Sequence, residues 1–83
     1  MAMKPDHEVT LLVRADCHAC DAAAADIRRI CAELEVPWHA EDVDSDAELR
    51  AEYGDRVPVI LIDGEEHGYW AVEEQRFRAA LRR

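Results

Sequence analysis

Apolar residues change their spacing repeatedly along this chain, and each change predicts an element. Val9–Val13 (V-T-L-L-V) is a short apolar run with β-branched residues, which predicts a buried strand. From Cys20 to Glu35 the spacing becomes helical. Ala23, Ile27, Ile30, Cys31 and Leu34 share one face, while Asp26, Arg28, Arg29 and Glu33 mostly point away. The alanine run Ala22–Ala25 supports that helix through its high intrinsic propensity. Val36–Val43 predicts a second strand, with Pro37 near its start. Ser45 and Glu48 read as a capping box for a short helix that carries Leu49 and Tyr53 at i, i+4 and stops at Gly54. Pro58–Ile62 predicts a third strand, Asp63-Gly64 a hairpin turn, and Glu66–Trp70 a fourth strand. Val72–Arg83 predicts a final helix that packs Phe77, Ala80 and Leu81 inward, with Arg82 and Arg83 at its negative end.

The predicted order is β-α-β-α-β-β-α, an α/β fold. A parallel pair comes first, joined by a right-handed helical crossover, and an antiparallel hairpin comes last. The expected architecture is a four-stranded mixed sheet with helices on both faces. With no repeats, linkers or low-complexity tracts, residues 1–83 are expected to form one domain.

Composition narrows the function. Apolar residues make up 49% and charged residues 35%, a globular balance. The net charge of −9 repels phosphate backbones and anionic membrane surfaces, which argues against nucleic-acid and membrane partners. No apolar stretch approaches the ~20 residues of a membrane span. The stretch Met1–Val9 lacks the apolar segment and cleavage site of a signal peptide, so the expected compartment is the cytoplasm. Thiols stay reduced there, and the odd count of three cysteines fits a disulfide framework poorly. Both points shift weight toward catalytic or metal-binding thiols.

Cys17 and Cys20 (C-H-A-C) fall between the first strand and the first helix. The pair is compatible with redox exchange, with a structural disulfide or with metal ligation. Zinc or an iron–sulfur cluster would require a dimer or outside ligands, with His18 and His67 as additional donors. A non-catalytic interaction module is a third reading. Cys31 lies ~16 Å further along the helix axis and reads as a small core residue. Trp38 also reads as core. The stretch containing Glu41, Asp42, Asp44 and Asp46 lacks calcium-loop spacing and reads as a solvated loop. For redox work the position is apt. A thiol at a helix N-terminus faces unpaired N–H groups and the positive end of the dipole, both of which favour the thiolate.

C-H-A-C at a strand-to-helix junction, V-P opening the third strand and D-G in the last hairpin together resemble the thioredoxin-fold superfamily. By length the chain is most similar to the small glutaredoxin-like proteins of bacteria. The resemblance implies a thiol–disulfide oxidoreductase and electron carrier, with Cys17 as nucleophile and Cys20 as resolving thiol. It also implies a cis bond at Val57-Pro58, which would aim the Val57 backbone at a substrate. Arg14 stands where glutaredoxins usually have a lysine and is expected to meet a glutathione carboxylate. His18 and Ala19 replace the usual proline and tyrosine, and a protonated His18 would favour the neighbouring thiolate. Arg56 takes the threonine position of T-V-P, where it is expected to meet a substrate carboxylate. Gly68 matches the first residue of a glycine pair, after which Tyr69 and Trp70 add bulk where the γ-glutamyl end of glutathione would lie. The implied substrates are protein disulfides or glutathionylated proteins. No bound cofactor is expected, and electrons would come from glutathione or a thioredoxin-reductase-like partner.

Overall fold

The computed structural model describes residues 7–83; residues 1–6, most of the stretch read above for a signal peptide, lie outside the described part. Strand β1 spans Val9–Val13, β2 Trp38–Asp42, β3 Val59–Ile62 and β4 Glu65–Tyr69. Helix α1 spans His18–Leu34, α2 Ala47–Tyr53 and α3 Glu74–Leu81. The sheet runs in the order β2-β1-β3-β4. Its β1–β2 pair is parallel, and β1–β3 and β3–β4 are antiparallel. This is the predicted mixed sheet.

The alternation of β1 divides the molecule into two cores. Val9 and Leu11 point to one side, where they meet Ala23, Ile27, Ile30 and Cys31 of α1, Ile60 of β3, and Phe77 and Leu81 of α3. Leu12 points to the other side and packs with Val43 and Val59, covered by Leu49 and Tyr53 of α2 and by Val57. Helices therefore lie on both faces. Trp38 is half-buried against the larger core. Ala80 is only half-buried, unlike Phe77 and Leu81 beside it.

Ion pairs brace α3 against α1. Glu74 accepts from Arg29 at 2.8 Å and from Arg78 at 2.9 Å, and Arg78 also donates to Glu33 at 2.8 Å. These two guanidinium groups, Arg29 first, hold the Glu74 carboxyl down to about 2. At the hairpin, Asp63 and Gly64 both have positive φ, 55° and 84°, as a two-residue type I′ turn requires. The Asp63 side chain also binds the start of β1: its Oδ1 accepts from the Glu8 N–H at 2.9 Å and its Oδ2 lies 2.7 Å from His7 Nδ1. His7 Nε2 lies 3.0 Å from the Arg83 carbonyl oxygen, so both ends of the described chain meet at this turn.

Five elements are bounded differently from the sequence-based expectation. Helix α1 begins at His18 rather than Cys20, because Cys17 itself caps it. Ser45 does not cap α2. Its Oγ donates to the Asp42 carbonyl at 2.6 Å within a 3-10 turn, Val43–Ser45, and Asp46 takes the cap by accepting from the Glu48 and Leu49 N–H groups. Strand β2 is shorter than Val36–Val43, since Pro37 contributes only its carbonyl, which accepts from the Val9 N–H at 3.1 Å. Strand β4 starts one residue early and stops before Trp70, whose φ of 73° ends the extended run; α3 then begins at Glu74 rather than Val72.

Candidate active site

Three segments converge at the end of the sheet where β1 finishes. The first is the turn from β1 into α1. Asp16 adopts φ 55°, a conformation that aspartate tolerates better than most residues, and this turns the chain so that Cys17 opens the helix. Cys17 is extended (φ −118°, ψ 101°), and its Sγ accepts the Cys20 N–H at 3.1 Å. Its carbonyl accepts the first helical bond, from the Asp21 N–H at 3.1 Å. The sulfur therefore takes the role that a serine or aspartate oxygen usually plays at a helix N-cap. Negative charge that develops on Sγ is stabilised by that N–H and by the helix dipole.

Cys17 and Cys20 are joined as a disulfide, with Cα atoms 5.2 Å apart, inside the usual range for such a bond. Cys17 is half-buried, whereas Cys20 is only 3% exposed and sits under the first turn. Solvent thus reaches Cys17 before Cys20. Cys31 is a free thiol three turns beyond Cys20, and its burial pushes its pKa up to about 11. His18 lies between the paired cysteines and is exposed.

The second segment is the start of β3. The Val57–Pro58 bond is cis. Leu12 of β1 pairs with Val59, so Pro58 lies beside the end of β1 from which the chain leads to Cys17. Pro58 is buried and Val57 half-buried.

The third segment is the end of β4. Val59 pairs with Tyr69, and the Trp70 N–H donates to the Pro58 carbonyl at 2.7 Å, which carries the pairing past the proline. Trp70 is 61% exposed and Tyr69 45% exposed, and their rings meet edge to face with centroids 4.9 Å apart. A tryptophan at φ 73° is a genuine outlier, and such a conformation costs about 1–3 kcal/mol in a residue with a Cβ. Gly68 pairs with Ile60 within β4, and a Cβ there would lie 3.4 Å from Arg76 Nη1 of α3.

The arginines expected to meet a substrate carboxylate are engaged within the chain. Arg14 forms a two-pronged pair with Asp44, Nε to Oδ2 and Nη2 to Oδ1, both 3.0 Å, and its Nη1 donates to the Gly54 carbonyl at 3.1 Å. It fastens the end of β1 to the segment on either side of α2. Arg56 donates to Glu66 at 3.1 Å, lies 3.8 Å from Asp55, and sits over the Tyr53 ring at 5.6 Å.

His67 was among the candidate donors, and the structure places it elsewhere. It is the extra residue of a β-bulge in β4, between Gly68 opposite Ile60 and Glu66 opposite Leu61. Its ring packs on Phe77, with a centroid distance of 5.8 Å. Burial, aided by Arg76, lowers its pKa, and its buried Nε2 has no hydrogen-bond partner. Among the described residues, no group of three or more His, Cys, Asp and Glu side chains is gathered as a metal site would require. No helix in the described part is long and apolar enough to cross a membrane.

A mixed β2-β1-β3-β4 sheet, helices on both faces and a Cys-x-x-Cys pair at the mouth of the first helix define a thioredoxin-like protein. Residues 8–82 match the Glutaredoxin-like domain family (DUF836), and the chain belongs to that family. It is 44% identical over 81 residues to an uncharacterized protein of Mycobacterium tuberculosis, covering 92% of this chain and 84% of that one. Among solved structures it is similar to protein XcR50 of X. campestris, with 34% identity, a TM-score of 0.72 and coverage of 89% of this chain and 95% of that one. Protein Ne2328 of Nitrosomonas europaea shares the fold at 21% identity, with a TM-score of 0.81 and coverage of 96% and 95%. A thioredoxin of Fasciola hepatica shares it at 24% identity, with a TM-score of 0.67 and coverage of 95% and 81%.

Proposed function

We propose that this protein is a thiol–disulfide oxidoreductase that carries two electrons on Cys17 and Cys20. One observation carries the reading: the Cys17 sulfur occupies the N-cap of α1, where the Cys20 N–H reaches it at 3.1 Å. In the reduced protein the Cys17 thiolate attacks one sulfur of a substrate disulfide. The Cys17–substrate bond forms as the substrate S–S bond breaks, and the departing sulfur takes a proton from solvent. Cys20 then loses its proton to solvent and attacks Cys17 Sγ, which releases the second substrate sulfur as a thiolate that is in turn protonated. The substrate gains two electrons and two protons, and the pair becomes a disulfide. Two glutathione thiols, leaving as glutathione disulfide, or the dithiol of a thioredoxin-reductase-like partner restore the dithiol form.

Exposure supports this division of roles. Cys17 is accessible for the first attack, and Cys20, 3% exposed, is placed to meet only a sulfur already bonded to Cys17. Turnover of a small disulfide substrate, measured for the protein and for Cys17→Ser and Cys20→Ser, tests this. Cys17→Ser loses turnover to background, and Cys20→Ser accumulates a covalent adduct on Cys17 visible by intact mass. Undiminished turnover in Cys17→Ser defeats the reading.

A further inference from the structure

We propose that Tyr69 and Trp70 form a docking platform that selects protein disulfides set in basic segments with a bulky apolar residue beside the cysteine. The proposal rests on the oxidoreductase reading above and names its substrate class.

Three observations carry it. First, a large aromatic side chain stands 61% exposed on a left-handed backbone that a glycine would adopt without cost. With most of its surface exposed, burial repays little of that conformation, which points to a role for the tryptophan outside the fold. Second, it stands at the same end of the sheet as the cysteine pair. The Trp70 N–H is bound to the Pro58 carbonyl, and Pro58 flanks the end of β1 that leads to Cys17. A substrate segment laid across that end of the sheet to reach Cys17 can meet the Tyr69–Trp70 edge-to-face pair. Stacked aromatics of this kind offer broad apolar area at little side-chain entropy cost.

Third, charge selects what lies on it. The chain carries −9 overall, and exposed Asp16 and Asp21 flank the cysteines. Arg14 and Arg56 are already paired with Asp44 and with Glu66. Glutathione, with its two carboxylates, finds Arg76 near Gly68 but not those two cations. A lysine-rich segment meets a complementary field, which raises its rate of encounter.

The test compares two substrates. One is a synthetic peptide with an intramolecular disulfide, a leucine beside one cysteine and flanking lysines. The other is the mixed disulfide of glutathione with a short cysteine peptide. For each, kcat/KM is measured with the protein, with Trp70→Gly, which suits the left-handed backbone, and with Trp70→Phe, which keeps an aromatic face. Thermal unfolding of each variant shows that the fold persists. Trp70→Gly is expected to lower the ratio of kcat/KM for the peptide to that for the glutathione substrate at least tenfold, mostly through KM. Trp70→Phe is expected to recover most of the ratio. An unchanged ratio in Trp70→Gly, with the protein turning over both substrates, overturns the platform and leaves the oxidoreductase reading standing. Turnover of neither substrate by the protein overturns both.

Discussion

The two ends of α1 hold thiols of opposite character. At its mouth, half-buried Cys17 Sγ accepts the Cys20 N–H, so in the reduced protein that N–H and the positive end of the helix lie against its sulfur. Four turns along, Cys31 is 1% exposed among Val9, Leu11, Ile27 and Ile30, and the same chemical group keeps its proton up to about 11. The residue type is constant, so the environment alone sets reactivity. Free N–H groups and the dipole exist only in the first turn, and apolar contact dominates from the second turn onward.

Alkylation is the most severe way to break this contrast. With the reduced protein at pH 7, iodoacetamide is expected to modify Cys17 at least a hundredfold faster than Cys31, read by peptide mass mapping. A thiol with a pKa of about 11 is only ~0.01% ionised at that pH, and burial blocks access as well. Comparable rates would show that burial does not silence Cys31.

A smaller effect lies in alkaline stability. In the unfolded chain a cysteine ionises near ~8.5, whereas Cys31 holds its proton to about 11 when folded. Between these values the folded state binds more protons, so stability falls as pH rises. The contribution of Cys31 is whole below ~8.5 and is lost towards 11, with a slope of at most ~1.4 kcal/mol per pH unit. Urea unfolding at pH 8 and pH 10 is expected to show a smaller pH dependence in Cys31→Ala than in the parent protein. Equal slopes would remove Cys31 from the account.

The smallest effect sharpens what makes a good cap. Asp46→Ala is expected to cost about 1 kcal/mol, because it frees the Glu48 and Leu49 N–H groups. Ser45→Ala, by contrast, is expected to cost less, since Ser45 bonds only the Asp42 carbonyl. Urea midpoints of the two variants rank them, and the reverse order would restore Ser45 as the cap.

Much of this was legible in the chain. Strand β1 falls on Val9–Val13 as read, because a run of V-T-L-L-V has few alternatives. The Asp63-Gly64 turn was equally plain, since the two left-handed positions demand such residues. The fold order and the place of the cysteine pair followed from spacing and from resemblance to known proteins. The apolar spacing of α1 becomes visible only from Cys20, two residues inside the helix, although Cys17 was expected at its N-terminus and is the cap there. Ser45 misled for another reason. S-D-A-E satisfies the capping pattern, but the 3-10 turn that consumes Ser45 depends on Val43 being drawn into the second core. The His67 bulge, opposite Ile60 and Leu61, and the left-handed Trp70, bonded to the Pro58 carbonyl, left no local signal, since each depends on how β4 pairs with β3.

The meeting of His7, Asp63 and the Arg83 carbonyl lies at the end of the sheet opposite the cysteines. A fluorescent protein or an immobilising handle attached beyond Arg83 would therefore hang from the far pole of the molecule and leave the Cys17–Cys20 end uncovered.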